Sequence, residues 1–168
     1  AILSQEYPLE RNVVDRRMYN LDKKKVIAAK AFKLIKNNET IFLDVSTTNI
    51  ELARLIASSG MHVVVVSNMI DILQILAANP SITAIGTGGT MYRSVNGFMG
   101  AAAIEDGLTK KAAVQSSRHK YVVMEREKFY FNESYKYTHF DDISGIITDE
   151  FPDDTIVNIL RNTGVKLL

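Results

Sequence analysis

A parallel α/β sheet with helical crossovers is the fold this sequence predicts, and three observations predict it. Apolar, β-rich runs occur at Ile41-Phe42-Leu43, at Met61-His62-Val63-Val64-Val65-Val66 and at Ser81-Ile82-Thr83-Ala84-Ile85. Each run ends in a polar turn, and stretches of helical spacing lie between them. Strand–turn–helix units in succession imply parallel strands with right-handed crossovers. The turns that follow such strands gather along one edge of the sheet, where ligands bind at the point of strand-order reversal.

Residues 1–22 lack periodicity, hold Pro8 and carry the charged cluster Glu10, Arg11, Asp15, Arg16 and Arg17. They are expected to form an extended lead-in, and residues 23–168 the domain proper. From Asp22 the spacing turns helical: Ile27, Ala31, Leu34 and Ile35 share a face, and Lys23, Lys24, Lys30, Lys33 and Lys36 are assigned to solvent. Asn37-Asn38 ends that helix. Ile41 to Leu43 carry no charge, which suits a strand buried on both faces. A helix follows over about Thr48 to Ser58, with Ile50, Ala53, Ile56 and Ala57 inward and Gly60 as its stop. The valine run from Val63 suits a central strand. Ser67-Asn68 opens a helix through Ile70, Leu73 and Ala77, which Asn79-Pro80 ends. After Thr90 the readings are a small-residue stretch over 97–103, a short helix near Leu108 to Ser116 and a strand at 121–124. A polar turn at 125–128, a crossing segment over 129–137, a strand at 143–148, a helix through Ile156 and Leu160, and a last strand at 165–168 complete the chain.

Composition removes several function classes. A length of 168 residues at 46% hydrophobic supports one domain with its own core, and a net charge of +1 gives no polybasic footprint for nucleic acid or membrane. The absence of cysteine excludes disulfides and thiolate metal sites and fits a cytoplasmic location. No apolar run approaches the roughly 20 residues needed to span a bilayer. His62, His119 and His139 lie far apart, so no metal site is expected. No phosphate-binding Walker loop, dinucleotide fingerprint or nucleophile elbow occurs, and no cofactor is expected.

The turns carry the candidate chemistry. Asp44-Val45-Ser46-Thr47-Thr48 puts four polar residues in five at a strand end that opens a helix. The first N–H groups of a helix lack internal partners and favour an anion, and serine and threonine hydroxyls can donate as well. The plainer alternative is an ordinary helix cap. A cap accounts for one such residue, not four. Ser67-Asn68 and Gly86-Thr87-Gly88-Gly89-Thr90 belong to the same edge, where Gly88 and Gly89 would let backbone approach a phosphate or hydroxyl. Arg93 and Lys128 are the cations near the strand ends. A carboxylate repels phosphate, so Asp44 is expected to accept from sugar hydroxyls or to brace its turn.

Taken together, Lys24-x-x-Ile27-Ala28-x-x-Ala31, Ile41 to Thr48, Val65-Val66-Ser67-Asn68, Gly88-Gly89-x-x-x-Arg93, Lys128-Phe129 and Ile146-Ile147-Thr148-Asp149 resemble the C-terminal effector domain of DeoR-type bacterial transcription regulators. The resemblance runs through nearly the whole chain in order. It implies an α/β, Rossmann-like domain of the ribose-phosphate isomerase and glucosamine-phosphate deaminase fold, which binds a phosphorylated sugar or related metabolite. It also implies a homo-oligomer without a membrane partner, and operator DNA held only through an N-terminal helix-turn-helix domain absent from these residues. The family's D-x-G-T-T loop falls on Asp44, Ser46, Thr47 and Thr48, its T-N pair on Ser67 and Asn68, its G-G turn on Gly88 and Gly89, and its K-F pair on Lys128 and Phe129. Ser46 replaces the usual glycine, which would narrow the backbone approach to a ligand. Between Ile104 and Gly107 the family has a further strand and loop where only Glu105-Asp106 stands, so residues are expected to be missing near 105–107.

Three functions then compete. A sensor that binds a sugar phosphate without turnover accounts for the convergent turns. An isomerase or deaminase needs a positioned general base, and the turns offer only Glu125, Glu127 and Asp149 beyond Asp44, in no acidic cluster. A purely structural oligomerisation module leaves the turns unexplained. Catalytic residues are expected to be none.

Overall fold

The described part of the chain opens with two helices that Tyr19 and Asn20 separate. The computed structural model describes residues 13–99, 103–131 and 138–168. Helix α1 (Val13–Met18) leads into Asn20, which sits in the left-handed region at φ 52°, and α2 (Leu21–Phe32) follows. Asparagine tolerates this conformation better than most residues, so the sharp turn falls there. Residues 13–22 are therefore helices and a tight turn rather than an extended segment. Val13 is buried and α1 packs against the helix after the first strand, so this segment belongs to the domain. The remainder of the expected lead-in, residues 1–12, lies outside the described residues.

Three parallel strands follow, β1 (Thr40–Leu43), β2 (Val63–Ser67) and β3 (Ile82–Gly86), in the order β1-β2-β3. Helices α3 (Thr47–Ala57) and α4 (Ile70–Leu76) make the crossovers. The expected central position of β2 is met. The burial on both faces expected of Ile41 to Leu43 is met at Leu43 alone: β1 is an edge strand of this sheet, and Ile41 and Phe42 are only half-buried. Helix α2 also ends at Phe32, before Asn37-Asn38.

A hairpin that periodicity did not reveal comes next, β4 (Thr90–Tyr92) against β5 (Gly97–Met99), turning through Asn96 at φ 50°. Helix α5 (Ala103–Ser116) is longer than expected and contains the join at 104–107. A second parallel sheet, β6 (Tyr121–Val123), β7 (Gly145–Ile147) and β8 (Lys166–Leu167), holds α6 (Asp154–Asn162) between its last strands. Residues 126–130 form a 3₁₀ turn, and residues 132–137 of the expected crossing segment lie outside the described residues.

One core joins the two sheets. Ile27 and Ala28 of α2, Ile50, Ala53 and Ile56 of α3, Val63 and Val65 of β2, and Ile72 and Leu76 of α4 pack with Ile147 of β7. Successive side chains of a strand point to opposite faces, so Ile146 enters a second cluster with Leu160 and Val165. All three residues of β7 are buried. Gly145 has no side chain because a Cβ there would stand 2.7 Å from the Lys166 carbonyl oxygen.

Polar contacts fasten α1 and α2 to the second sheet. Asn20 Nδ2 donates to Glu125 Oε2 (3.1 Å) and Glu127 Oε1 (2.9 Å), and Lys30 Nζ donates to the Thr148 carbonyl (2.8 Å). Lys24, expected in solvent, is 4% exposed; its ammonium donates to the carbonyls of Arg16 and Tyr19 and lies 3.9 Å from Glu125 Oε1. The reason is visible in the spacing: residues 24, 27, 28 and 31 form one helical stripe, and the other three are apolar and buried. Burial holds Lys24 below the ordinary lysine value of 10.5 although Glu125 opposes the shift, and it lowers Arg16 in the same way.

Two stability predictions follow from this packing. A Cβ on Gly97 would lie 2.6 Å from Val45 Cγ2 and 2.8 Å from the Asn68 carbonyl oxygen. Gly97→Ala should therefore destabilise the chain by about 1–3 kcal/mol, read from urea unfolding. Lys24→Met should cost about 2 kcal/mol by removing the donor to the Arg16 and Tyr19 carbonyls and leaving the buried Glu125 carboxylate without its Lys24 partner. The double change Lys24→Met with Glu125→Leu should regain most of that loss, because both charges leave the interior together. Additive losses would show that the pair does not act as a unit.

Candidate functional site

The register of the first sheet places Leu43, Ser67 and Gly86 side by side at the carboxyl ends of their strands. The residues that follow, Asp44, Asn68 and Thr87, must then be neighbours although far apart in sequence. Hydrogen bonds complete the grouping. Asn68 Nδ2 donates to Asp44 Oδ1 at 3.0 Å, and the Thr87 N–H donates to the Ser67 carbonyl at 3.1 Å. The Asn49 side chain donates to the Asp44 carbonyl at 2.9 Å. Convergence of the three turns is thus met in the geometry.

Individual residues take different parts. Ser46 is the N-cap of α3, its hydroxyl accepting from the Thr48 N–H at 3.2 Å. Its φ of −161° is extended backbone that any residue adopts, so the serine fits without strain where the resemblance leads one to expect glycine. The plain cap reading therefore holds for Ser46. Thr47 and Thr48 form the first turn of α3 and are 6% and 5% exposed. Ser67 donates to the Leu43 carbonyl (2.7 Å) and accepts from the Met69 N–H (3.1 Å). A hydroxyl has one proton to donate, so Ser67 ties β1 to β2 rather than offering a donor to a ligand. Asn68 is 1% exposed, and its Oδ1 is buried without a hydrogen-bond partner. Such an acceptor is costly unless something donates to it.

The hairpin covers this turn. Phe98 N–H donates to the Asn68 carbonyl at 2.7 Å and Ile70 N–H to the Asn96 carbonyl at 3.0 Å. Gly97 permits the close approach, a role that the sequence reading missed; the signal was a lone glycine in a short apolar run beside a turn. Gly88 and Gly89 have φ of 69° and 115°, so both supply backbone that L side chains rarely adopt. Space around Gly88 is open, and the need there is conformational.

The two cations stand apart from the hydrogen-bonded group. Arg93 is exposed in the hairpin turn, and Lys128 is exposed on the 3₁₀ turn after β6. Lys128 reaches the rest through its turn, whose N-cap, Glu125, is buried against Asn20 and Lys24. A cation that the sequence reading did not select lies closer: Lys110 of α5 has its Nζ 3.5 Å from Asp44 Oδ2. Asp149 is engaged with the Arg126 N–H (2.7 Å) and Lys23 (3.8 Å). His62, His119 and His139 are exposed, and among the described residues no group of three or more His, Cys, Asp or Glu could hold a metal ion. No helix among them is long and apolar enough to cross a membrane. A shallow cavity of about 240 Å³ lined by Lys111, Val114, Gln115, Lys120, Thr138, His139 and Asp142 shares no residue with these turns.

Comparison with known proteins bears on this geometry. A transcriptional regulator of the helix-turn-helix type, GolR of Listeria innocua, is 35% identical over 109 residues, covering 63% of this chain and 42% of its own length. The lactose phosphotransferase system repressor of Lactococcus lactis is 35% identical over 104 residues, 61% of this chain and 40% of its own. The glycerol-3-phosphate regulon repressor of Escherichia coli is 22% identical over 182 residues, 91% of this chain and 72% of its own. The chain thus spans about two fifths of the length of the first two relatives. The family model described as the DeoR C terminal sensor domain matches residues 19–106, just over half of the chain and the part that holds the three turns. This chain belongs to the DeoR C-terminal sensor domain family.

Proposed function

We propose that the chain is the effector-sensing part of a DeoR-type transcriptional repressor of sugar metabolism. In this reading a phosphorylated sugar binds at the carboxyl edge of β1, β2 and β3. Binding then alters how a helix-turn-helix domain, outside these 168 residues, holds operator DNA. The observation that carries the reading is the convergence of Asp44–Thr48, Ser67-Asn68 and the Gly86–Thr90 turn in front of the α3 N-terminus. The first N–H groups of α3 and the Thr47 and Thr48 hydroxyls would take the phosphate. The orphaned Asn68 Oδ1 would accept from a sugar hydroxyl, and Gly88, Gly89, Arg93 and Lys128 would complete the ring. Regulation requires that the ligand bind one arrangement of the protein better than another, for which a homo-oligomer of these domains offers a natural basis.

The names of the relatives narrow the first trials. One is a repressor of a glycerol-3-phosphate regulon and one of a lactose phosphotransferase system, so phosphorylated small polyols and sugars belong at the head of the panel. An enzyme of the related fold has less support, because Asp44, Glu125 and Asp149 are each engaged by neighbouring donors. Turnover of a sugar phosphate that Asp44→Asn abolishes would reverse this preference.

The same proposal includes a segment missing near 105–107. The family match stops at residue 106, and the alignment to the Escherichia coli relative spans 182 residues against the 168 of this chain. The edge positions of β1 and β6, each paired on one side within its sheet, agree with a strand lost from between them.

A thermal-shift screen tests the sensor reading directly. A ligand that binds only the folded chain adds about 2.7 kcal/mol of stability at a hundredfold excess over its Kd. One sugar phosphate should raise the melting temperature while its unphosphorylated counterpart does not; a flat panel counts against the reading. Thr47→Ala with Thr48→Ala should weaken that ligand by at least about tenfold in calorimetry. Unchanged affinity would remove the α3 loop as the phosphate site. Lys128→Ala should weaken the phosphorylated ligand far more than the free sugar, and equal losses would place Lys128 elsewhere.

A further inference from the structure

We infer that Lys110 of α5 is a ligand-holding residue of the strand-end site and the one that makes the site accept an anion, an inference that rests on the sensor reading above. Asp44 stands where β1 ends, in front of α3, and its carboxylate opposes any anion that the α3 N-terminus attracts. Asn68 fixes that carboxylate by donating to Oδ1 at 3.0 Å. The other oxygen, Oδ2, faces Lys110 Nζ at 3.5 Å. The ion pair cancels the charge of Asp44, so the α3 N-terminus is left as the net positive feature of the site. Lys110 and Asp44 side chains are 26% and 27% exposed, so neither is sealed from a ligand. An ammonium carries three donors and can hold a carboxylate and a phosphate oxygen at once. A partly exposed ion pair contributes little to stability, so the effect of Lys110 is to be read in binding rather than in unfolding. Lys111, the next residue on α5, lines the shallow cavity instead and serves as the control of equal charge.

The test is calorimetry of the 168-residue chain with inorganic phosphate, glycerol 3-phosphate and glucose 6-phosphate, and with glycerol and glucose as uncharged counterparts. For a phosphorylated probe that the wild type binds, Lys110→Met should lower affinity by about tenfold or more, whereas Lys110→Arg and Lys111→Met should stay within about threefold. Adding Asp44→Asn to Lys110→Met should restore part of the loss, because the repelling charge leaves with it. A Lys110→Met chain that binds the phosphorylated probe as the wild type does overturns this inference and leaves the sensor reading intact. Equal losses for Lys110→Met and Lys111→Met also overturn it, since surface charge alone would account for both. A wild-type chain that binds none of the phosphorylated probes overturns the sensor reading, and this inference with it.

Discussion

The parallel register that aligns Leu43, Ser67 and Gly86 is the constraint from which the rest of the site follows. Parallel strands all point one way, so the turns that leave them cannot avoid meeting. The backbone at those ends needs partners, and side chains from neighbouring turns supply them: Ser67 closes on the Leu43 carbonyl, and Asn68 closes on Asp44. Each turn thereby braces the next. The polar groups of this edge hold one another.

Two devices then shape the edge. The β4–β5 hairpin lies over the Asn68 turn because Gly97 lets its backbone approach within hydrogen-bond distance. Meanwhile α2 spans from the first core to the second sheet, with Asn20, Lys24 and Lys30 engaging the ends of β6 and β7. Lys128 is carried on the turn that Asn20 and Lys24 anchor. A displacement of α1 relative to this turn would therefore be felt at Lys128 through Lys24, whose partners include the Arg16 and Tyr19 carbonyls.

Electrostatics at the strand ends is a matter of local pairing rather than net charge. The chain carries +1 overall, yet buried or half-buried charges concentrate at Asp44 with Lys110 and at Lys24 with Glu125. The first pair is open to solvent and adjustable. The second is buried, costs desolvation on both sides, and so acts through position more than through stability.

Much of this was legible in the sequence. Apolar runs located β2 and β7, and period-3.6 spacing located α3 and α4, to within a few residues, because burial leaves a pattern in the chain that neighbours cannot hide. The grouping of Asp44, Ser67-Asn68 and the glycine turn was legible too, because parallel topology alone brings strand ends together. Tertiary structure decided what no local pattern encodes. Lys24 shares the buried stripe of Ile27, Ala28 and Ala31, but only the carbonyls of Arg16 and Tyr19 and the carboxylate of Glu125, brought from other segments, give its ammonium partners there. Ser67 reads in the sequence as part of a candidate ligand edge, and only the neighbouring Leu43 carbonyl gives its hydroxyl a partner within the sheet. Gly97 and Lys110 became meaningful only when a hairpin and a later helix were laid against Asn68 and Asp44. A sequence records which side chains can pair and how often they recur. Which of them meet is set by contacts between distant segments, and those depend on the packed whole.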